Sequence, residues 1–141
     1  MTHPLSLRFR EPSTLEGLKR EAAAGSRSVS ALAEELIEEG LRMRRHPGVV
    51  FRGGPSGRRA GLVDGPDVWE VIEGVLGADL RAADRLERAG EVFGLRRDQV
   101  ETALSYYAEY TGEVDELITA NAAAAAEAEK LWRRRQELLD R

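Results

Sequence analysis

Three side chains near the start of the chain, Ser6, Arg8 and Arg10, alternate with Leu5, Leu7 and Phe9. In an extended backbone successive side chains point to opposite faces. One face then carries a hydroxyl and two guanidinium groups, the other three apolar groups. Arginine forks match the paired acceptors of guanine, and a two-stranded ribbon fits the major groove of DNA. Such a ribbon needs a second strand. A strand and two short helices in about 45 residues are too little chain to bury a core alone, and a two-fold homodimer with antiparallel strands supplies the missing half. The expected DNA base contacts are therefore Ser6, Arg8 and Arg10 from each copy.

The other polar residues offer binding chemistry rather than catalysis. There is no cysteine, and His3 and His46 stand alone without metal-ligand spacing. The carboxylates lie on helical faces with no nucleophile or histidine beside them, so no enzyme, metal or cofactor is expected. Arg58 and Arg59 could meet DNA or an acidic partner, or simply decorate a basic turn. Arg96, Arg97 and Gln99 sit where a recognition helix would begin, but Asp98 and Glu101 beside them would repel phosphate. Trp132 followed by Arg133, Arg134 and Arg135 sets an aromatic anchor next to guanidinium groups, a composition common at protein interfaces. An amphipathic helix packed on its own dimer would have the same appearance.

Net charge is −4 over 141 residues, unevenly placed. Residues 1–46 hold 8 Lys/Arg and 7 Asp/Glu, residues 47–112 hold 8 and 11, and residues 113–141 hold 5 and 7. The first segment is the only one that is not acidic, which suits site-specific DNA binding better than general coating. No run of about 18 apolar residues exists and no signal-peptide pattern opens the chain, so no membrane contact and a cytoplasmic location are expected.

The elements that must hold these residues follow from local patterning. Ser13 or Thr14 caps a first helix with Leu15, Leu18 and Ala22 on one face, and Gly25-Ser26 ends it. Ser28 caps a second helix whose apolar stripe is Val29, Leu32, Ala33, Leu36, Ile37 and Leu41. Glu34, Glu35, Glu38 and Glu39 are expected in solvent. Arg42, Arg44 and Arg45 suit the negative end of the helix dipole or a phosphate. Val49–Arg52 and Arg59–Val63 flank Gly53-Gly54-Pro55-Ser56-Gly57 as a small hairpin. A helix begins at Asp64 or Asp67 with Val68, Trp69, Ile72, Val75 and Leu76 inward. The next runs from about Leu80 to Phe93, with Leu80, Ala83, Leu86, Ala89, Val92 and Phe93 inward. After the turn Gly94-Leu95 a helix from about Arg97 to Tyr110 buries Val100, Ala103, Leu104 and Tyr107. Thr111-Gly112 then breaks the chain before a last helix from Glu113. The whole is mostly α: an N-terminal strand with two helices (1–46), a hairpin with a helix-turn-helix-like domain (47–112) and a long C-terminal helix (113–141).

The stretches LSLRFRE, LEGLKREAAAGS and SRSVSALAEELIEEGL, joined through Gly25-Ser26-Arg27-Ser28-Val29-Ser30, resemble the ribbon-helix-helix family of the CopG/Arc type. That resemblance implies base contacts from Ser6, Arg8 and Arg10 and an anchored DNA phosphate at Arg27, Ser28, Val29 and Ser30. The stretches HPGVVFRGGPSGRRAGL, DVWEVI and FGLRRDQVETALSYYAEYTGEVDELITAN resemble domain-of-unknown-function family 433, found in antitoxins of the VapB type. This chain spaces its first helix further from FGL than the shorter members do. Together the resemblances imply an antitoxin of a type II toxin-antitoxin system that neutralises a PIN-like (VapC-type) ribonuclease toxin and represses its own operon at operator DNA. The toxin would be held by the C-terminal helix through Leu117, Ile118, Ala125, Ala128, Leu131, Trp132, Arg133, Arg134 and Arg135. A stand-alone ribbon-helix-helix transcriptional regulator without a toxin is the other reading.

Overall fold

A computed structural model of the chain describes residues 2–54 and 57–140. Pro55 and Ser56 of the expected hairpin turn lie outside the described residues. The chain is mostly helical with one small antiparallel sheet: α1 (Pro12–Ala24), α2 (Val29–Arg45), β1 (Val49–Gly54), β2 (Gly57–Leu62), α3 (Val68–Leu76), α4 (Ala82–Phe93), α5 (Arg97–Glu109) and α6 (Thr111–Leu139). It divides into two compact units, Met1–Arg42 and Met43–Arg141.

In the first unit, residues 2–9 adopt no regular structure in the single chain. A strand with no partner has no ladder to complete, and Leu5, Leu7 and Phe9 are all exposed. Helix α1 starts earlier than the cap reading expected, with Glu11 as N-cap and Pro12 in the first turn. Proline has no N–H to orphan there and its φ is already helical. The end of α1 is a Schellman turn, in which the Arg27 amide donates to the Ala22 carbonyl at 2.8 Å and the Ser26 amide to Ala23 at 3.1 Å. Ser26, not Gly25, takes the left-handed conformation, at φ 52°. Ser28 then caps α2, its Oγ accepting the Ala31 amide at 3.0 Å.

The burial of α2 departs from its sequence pattern. Val29, Leu36, Ile37 and Leu41 are exposed, whereas Glu39 is buried and Glu35 half-buried, although both were expected in solvent. Among the described residues of this unit, Ala22 is the one buried hydrophobic side chain.

The second unit closes its own core. In the hairpin the pairs Val49↔Leu62 and Phe51↔Ala60 share one face, and Val49, Ala60 and Leu62 are buried. Helix α3 is the hub, packing against β2, α4, α5 and α6. Asp67 caps it in a reciprocal box with Glu70, and Val68, Val71, Ile72 and Val75 are buried at helical spacing. Gly94, left-handed at φ 65°, ends α4 and turns the chain into α5. Val100, Ala103 and Tyr106 of α5 and Val114 of α6 complete the core.

Several expected positions move. Val71, outside the expected inward face, is fully buried, while Leu76, Leu80 and Val92 face solvent. Helix α4 begins two residues late, at Ala82. Thr111-Gly112 is no break: α6 starts at Thr111, whose hydroxyl donates to the Tyr107 carbonyl at 2.7 Å, and Gly112 lies within the helix. At about 1.5 Å per residue, this 29-residue helix is about 43 Å long. Among the described residues no helix is long and apolar enough to cross a membrane.

Candidate functional site

The residues expected to read DNA bases, Ser6, Arg8 and Arg10, are exposed on the N-terminal segment. Among the described residues neither Arg8 nor Arg10 is in an ion pair. Their charge is thus available to an anion. At the start of α2 the first amides, those of Val29 and Ser30, have no intrahelical acceptor, which suits an anion at that end. Arg27 beside them is not idle. Its guanidinium is paired with the Glu35 carboxylate and reaches the Ala31 carbonyl at 3.4 Å. A phosphate at this junction must share Arg27 with Glu35 or displace it.

The other basic candidates are tied into the protein to different degrees. Arg42 pairs with Glu38 at 2.7 Å, and Arg45 with Glu109 at 2.9 Å. In the hairpin, Arg52 and Arg59 stand directly opposite each other across the strands. Like charges in that position repel. Asp67 resolves the conflict: Arg52 Nη2 donates to its Oδ1 at 3.1 Å, Arg59 Nε to its Oδ2 at 2.5 Å, and the Trp69 indole to Oδ2 at 3.3 Å. One buried carboxylate therefore joins both strands to the start of α3. Gly61 belongs to this arrangement, because a Cβ there would lie 2.0 Å from the Arg52 guanidinium. Arg59 is thus a structural cation here, while exposed Arg58 donates to the Phe51 carbonyl at 3.3 Å.

At the α5 N-terminus, Arg96 pairs with Asp98 at 3.1 Å and Arg97 with Glu101 at 3.2 Å. The Gln99 side-chain oxygen accepts the Arg96 amide at 2.9 Å. The hydrogen bond from Arg96 holds the Asp98 carboxyl below the usual aspartate range. Arg96, Arg97 and the Gln99 side-chain oxygen at this helix start are each engaged by a neighbour, and Arg96 favours the charged form of Asp98. This helix start makes a poor phosphate seat.

On α6 the expected partner-binding residues split. Ile118 packs against the core and Leu117 is half-buried, so neither is a freely presented contact. Ala125, Ala128, Leu131, Trp132, Arg133, Arg134 and Arg135 are exposed, with Arg133 paired to Glu129 at 2.5 Å.

One pair went unseen in the sequence. His46 is buried, its Nε2 lies 2.7 Å from Glu109 Oε2, and the rings of Tyr106 and Tyr110 stand edge-on to it. The hydrogen bond to His46, helped by Arg45, holds Glu109 below the usual glutamate range. A separation of 63 positions hides the pair from any local pattern. Among the described residues no cluster of His, Cys, Asp and Glu could hold a metal ion. No protein-family model, curated protein or solved structure matches the chain.

Proposed function

We propose that this chain is a homodimeric DNA-binding repressor of the antitoxin type, which reads operator DNA through a ribbon formed by two N-terminal segments. The observation that carries the reading is the inverted burial of the first unit. Leu5, Leu7 and Phe9 and the stripe Val29, Leu36, Ile37 and Leu41 are exposed together in a unit with one buried hydrophobic residue among those described. Apolar side chains of this size each contribute roughly 1.5–3 kcal/mol when fully buried. A second copy with the same surface is the simplest cover, since a two-fold interface uses one patch twice. Pairing the segments as antiparallel strands turns the leucines and Phe9 inward. Ser6, Arg8 and Arg10 then lie on the outer face, and the α2 N-termini flank it as phosphate anchors.

The second half of the reading is a protein partner on α6, a PIN-like ribonuclease toxin by the resemblance. It is supported by exposed Trp132 beside three arginines, which suits an acidic nuclease cleft. In this reading the second unit is a structural connector rather than a second DNA reader, because its basic residues at Arg52, Arg59, Arg96 and Arg97 are all ion-paired.

The test is operator binding by the full-length chain. Arg8→Ala is expected to cost about 1–3 kcal/mol per lost bidentate base contact and to relax sequence preference. An Arg8→Ala/Arg10→Ala protein that binds promoter fragments with wild-type affinity and selectivity would overturn the ribbon. Co-expression with the neighbouring reading frame tests the partner: capture by the full chain, but not by a chain ending at residue 112, assigns the contact to α6.

A further inference from the structure

The chain separates its charges sharply where it enters α2. From Ser26 to Ala33, Arg27 is the one charged side chain, and the first turn of α2 carries no acid. The positive end of the helix dipole is therefore not cancelled by a carboxylate. Glu34, Glu35, Glu38 and Glu39 follow directly.

Arg27 stands just before the cap residue Ser28, yet its guanidinium does not stay at that end. It folds back along α2, where Nη2 donates to the Ala31 carbonyl at 3.4 Å and Nη1 pairs with the Glu35 carboxylate. At 1.5 Å per residue, Glu35 lies about 10 Å along the helix axis from Ser28. The cation is thus drawn away from the amides of Val29 and Ser30, which have no acceptor within the helix. The neighbouring acids do not share this role. Glu38 has its own cation in Arg42 at 2.7 Å, and exposed Glu34 has no ion pair among the described residues.

We propose that the Arg27–Glu35 pair is an autoinhibitory contact, in which Glu35 competes with the DNA backbone for Arg27. The inference rests on the ribbon reading and adds to it a residue that opposes binding. A phosphate seated at the start of α2 draws Arg27 off Glu35, so the free energy of the pair is subtracted from the affinity for DNA. The two side chains are 40% and 22% exposed, which keeps the effect modest. Phosphate contacts carry no sequence information, so the pair governs how tightly DNA is held and not which DNA is chosen.

The test is titration of the full-length chain with a fragment of its own promoter and with a scrambled duplex of equal length. E35Q keeps the size of the side chain and removes its charge. It should bind both duplexes about two- to fivefold more tightly per copy, with unchanged selectivity. E34Q removes the same charge one residue away without releasing Arg27, and so measures the effect of lost repulsion alone. In an R27A background the gain from E35Q should shrink to that of E34Q, because the double-mutant cycle isolates the pairwise contribution. A gain no larger than that of E34Q, or one that survives in R27A, overturns the proposal. Weaker binding by E35Q also overturns it, since that is the result expected of a pair that only stiffens the helix start. Wild-type protein without promoter binding that depends on Arg8 and Arg10 overturns the ribbon, and the autoinhibitory contact with it. Wild-type binding with no extra gain in E35Q overturns the contact alone.

Discussion

The two units use similar residues in opposite ways. In the second, Val71, Ile72, Val100, Ala103 and Tyr106 are fully buried and one helix packs against β2 and the three other helices. In the first, Leu36, Ile37 and Leu41 form an equally regular stripe that faces outward. Both helices are amphipathic, so amphipathicity alone does not say where a core lies. What differs is whether the same chain brings up something to cover the stripe. Three helices and a hairpin do so around α3, whereas one helix and an unpaired segment leave α2 incomplete. In the dimer reading the first unit is half of a folded object, and its stability should then depend on protein concentration in a way that the second unit's does not.

The largest expected effect tests the self-sufficient side. Ile72→Ala removes a fully buried side chain at the hub of the core and should cost about 2–5 kcal/mol. Urea unfolding followed by circular dichroism should show the loss, with a midpoint for this unit unchanged over a hundredfold range of concentration. A concentration-dependent midpoint would mean that the second unit also borrows its core from another copy.

A smaller effect tests the incomplete side. Leu36 is 51% exposed in the single chain, so burial in a dimer gains only about half of a leucine side chain. Leu36→Ala should therefore cost about 1 kcal/mol per copy where the dimer is populated, and almost nothing where it is dissociated. Hydrogen exchange of the α1 and α2 amides at high and low concentration separates the two cases. An equal loss at both concentrations would show that Leu36 packs within its own chain.

Much of this contrast was legible in the sequence, and the gaps have physical causes. The order of helices, the hairpin between Val49 and Leu62 and the αL turn at Gly94 follow from local signals: spacing, caps and turn residues. Exposure of Leu76, Leu80 and Val92 does not, since periodicity marks an apolar face without saying how wide a face its neighbours cover. Tyr106 was one of three tyrosines on a helix, and only the approach of His46 and Phe51 makes it the centre. The Asp67 network was hidden for a similar reason. Arg59 reads as a surface cation until strand register sets it opposite Arg52. The candidate surfaces were legible in part: alternation marked out Arg8 and Arg10 as a pair, and Asp98 and Glu101 already spoke against Arg96 and Arg97, but which carboxylate pairs with which arginine needed the folded helix start. In the first unit, the apolar residues of the N-terminal segment and α2 were recognisable by type. What covers them is not encoded in any local pattern.

The smallest effect concerns where the second unit begins. Arg45 and His46, at the end of α2 and just beyond it, are joined to Glu109 near the end of α5. Glu109 titrates below its ordinary value near 4.5, chiefly because of the His46 hydrogen bond and then because of Arg45. A carboxyl depressed in the folded state adds stability that is present above its unfolded pKa and lost as pH falls through its folded pKa. The second unit should therefore weaken as pH falls below about 4.5, in part through this one group. Glu109→Gln keeps a hydrogen-bonding side chain but removes the titration, so that part of the acid slope should flatten while the first unit's response stays unchanged. Urea midpoints taken between about pH 3 and pH 6 provide the readout. An unaltered slope in Glu109→Gln would mean that the pair is present but not coupled to folding.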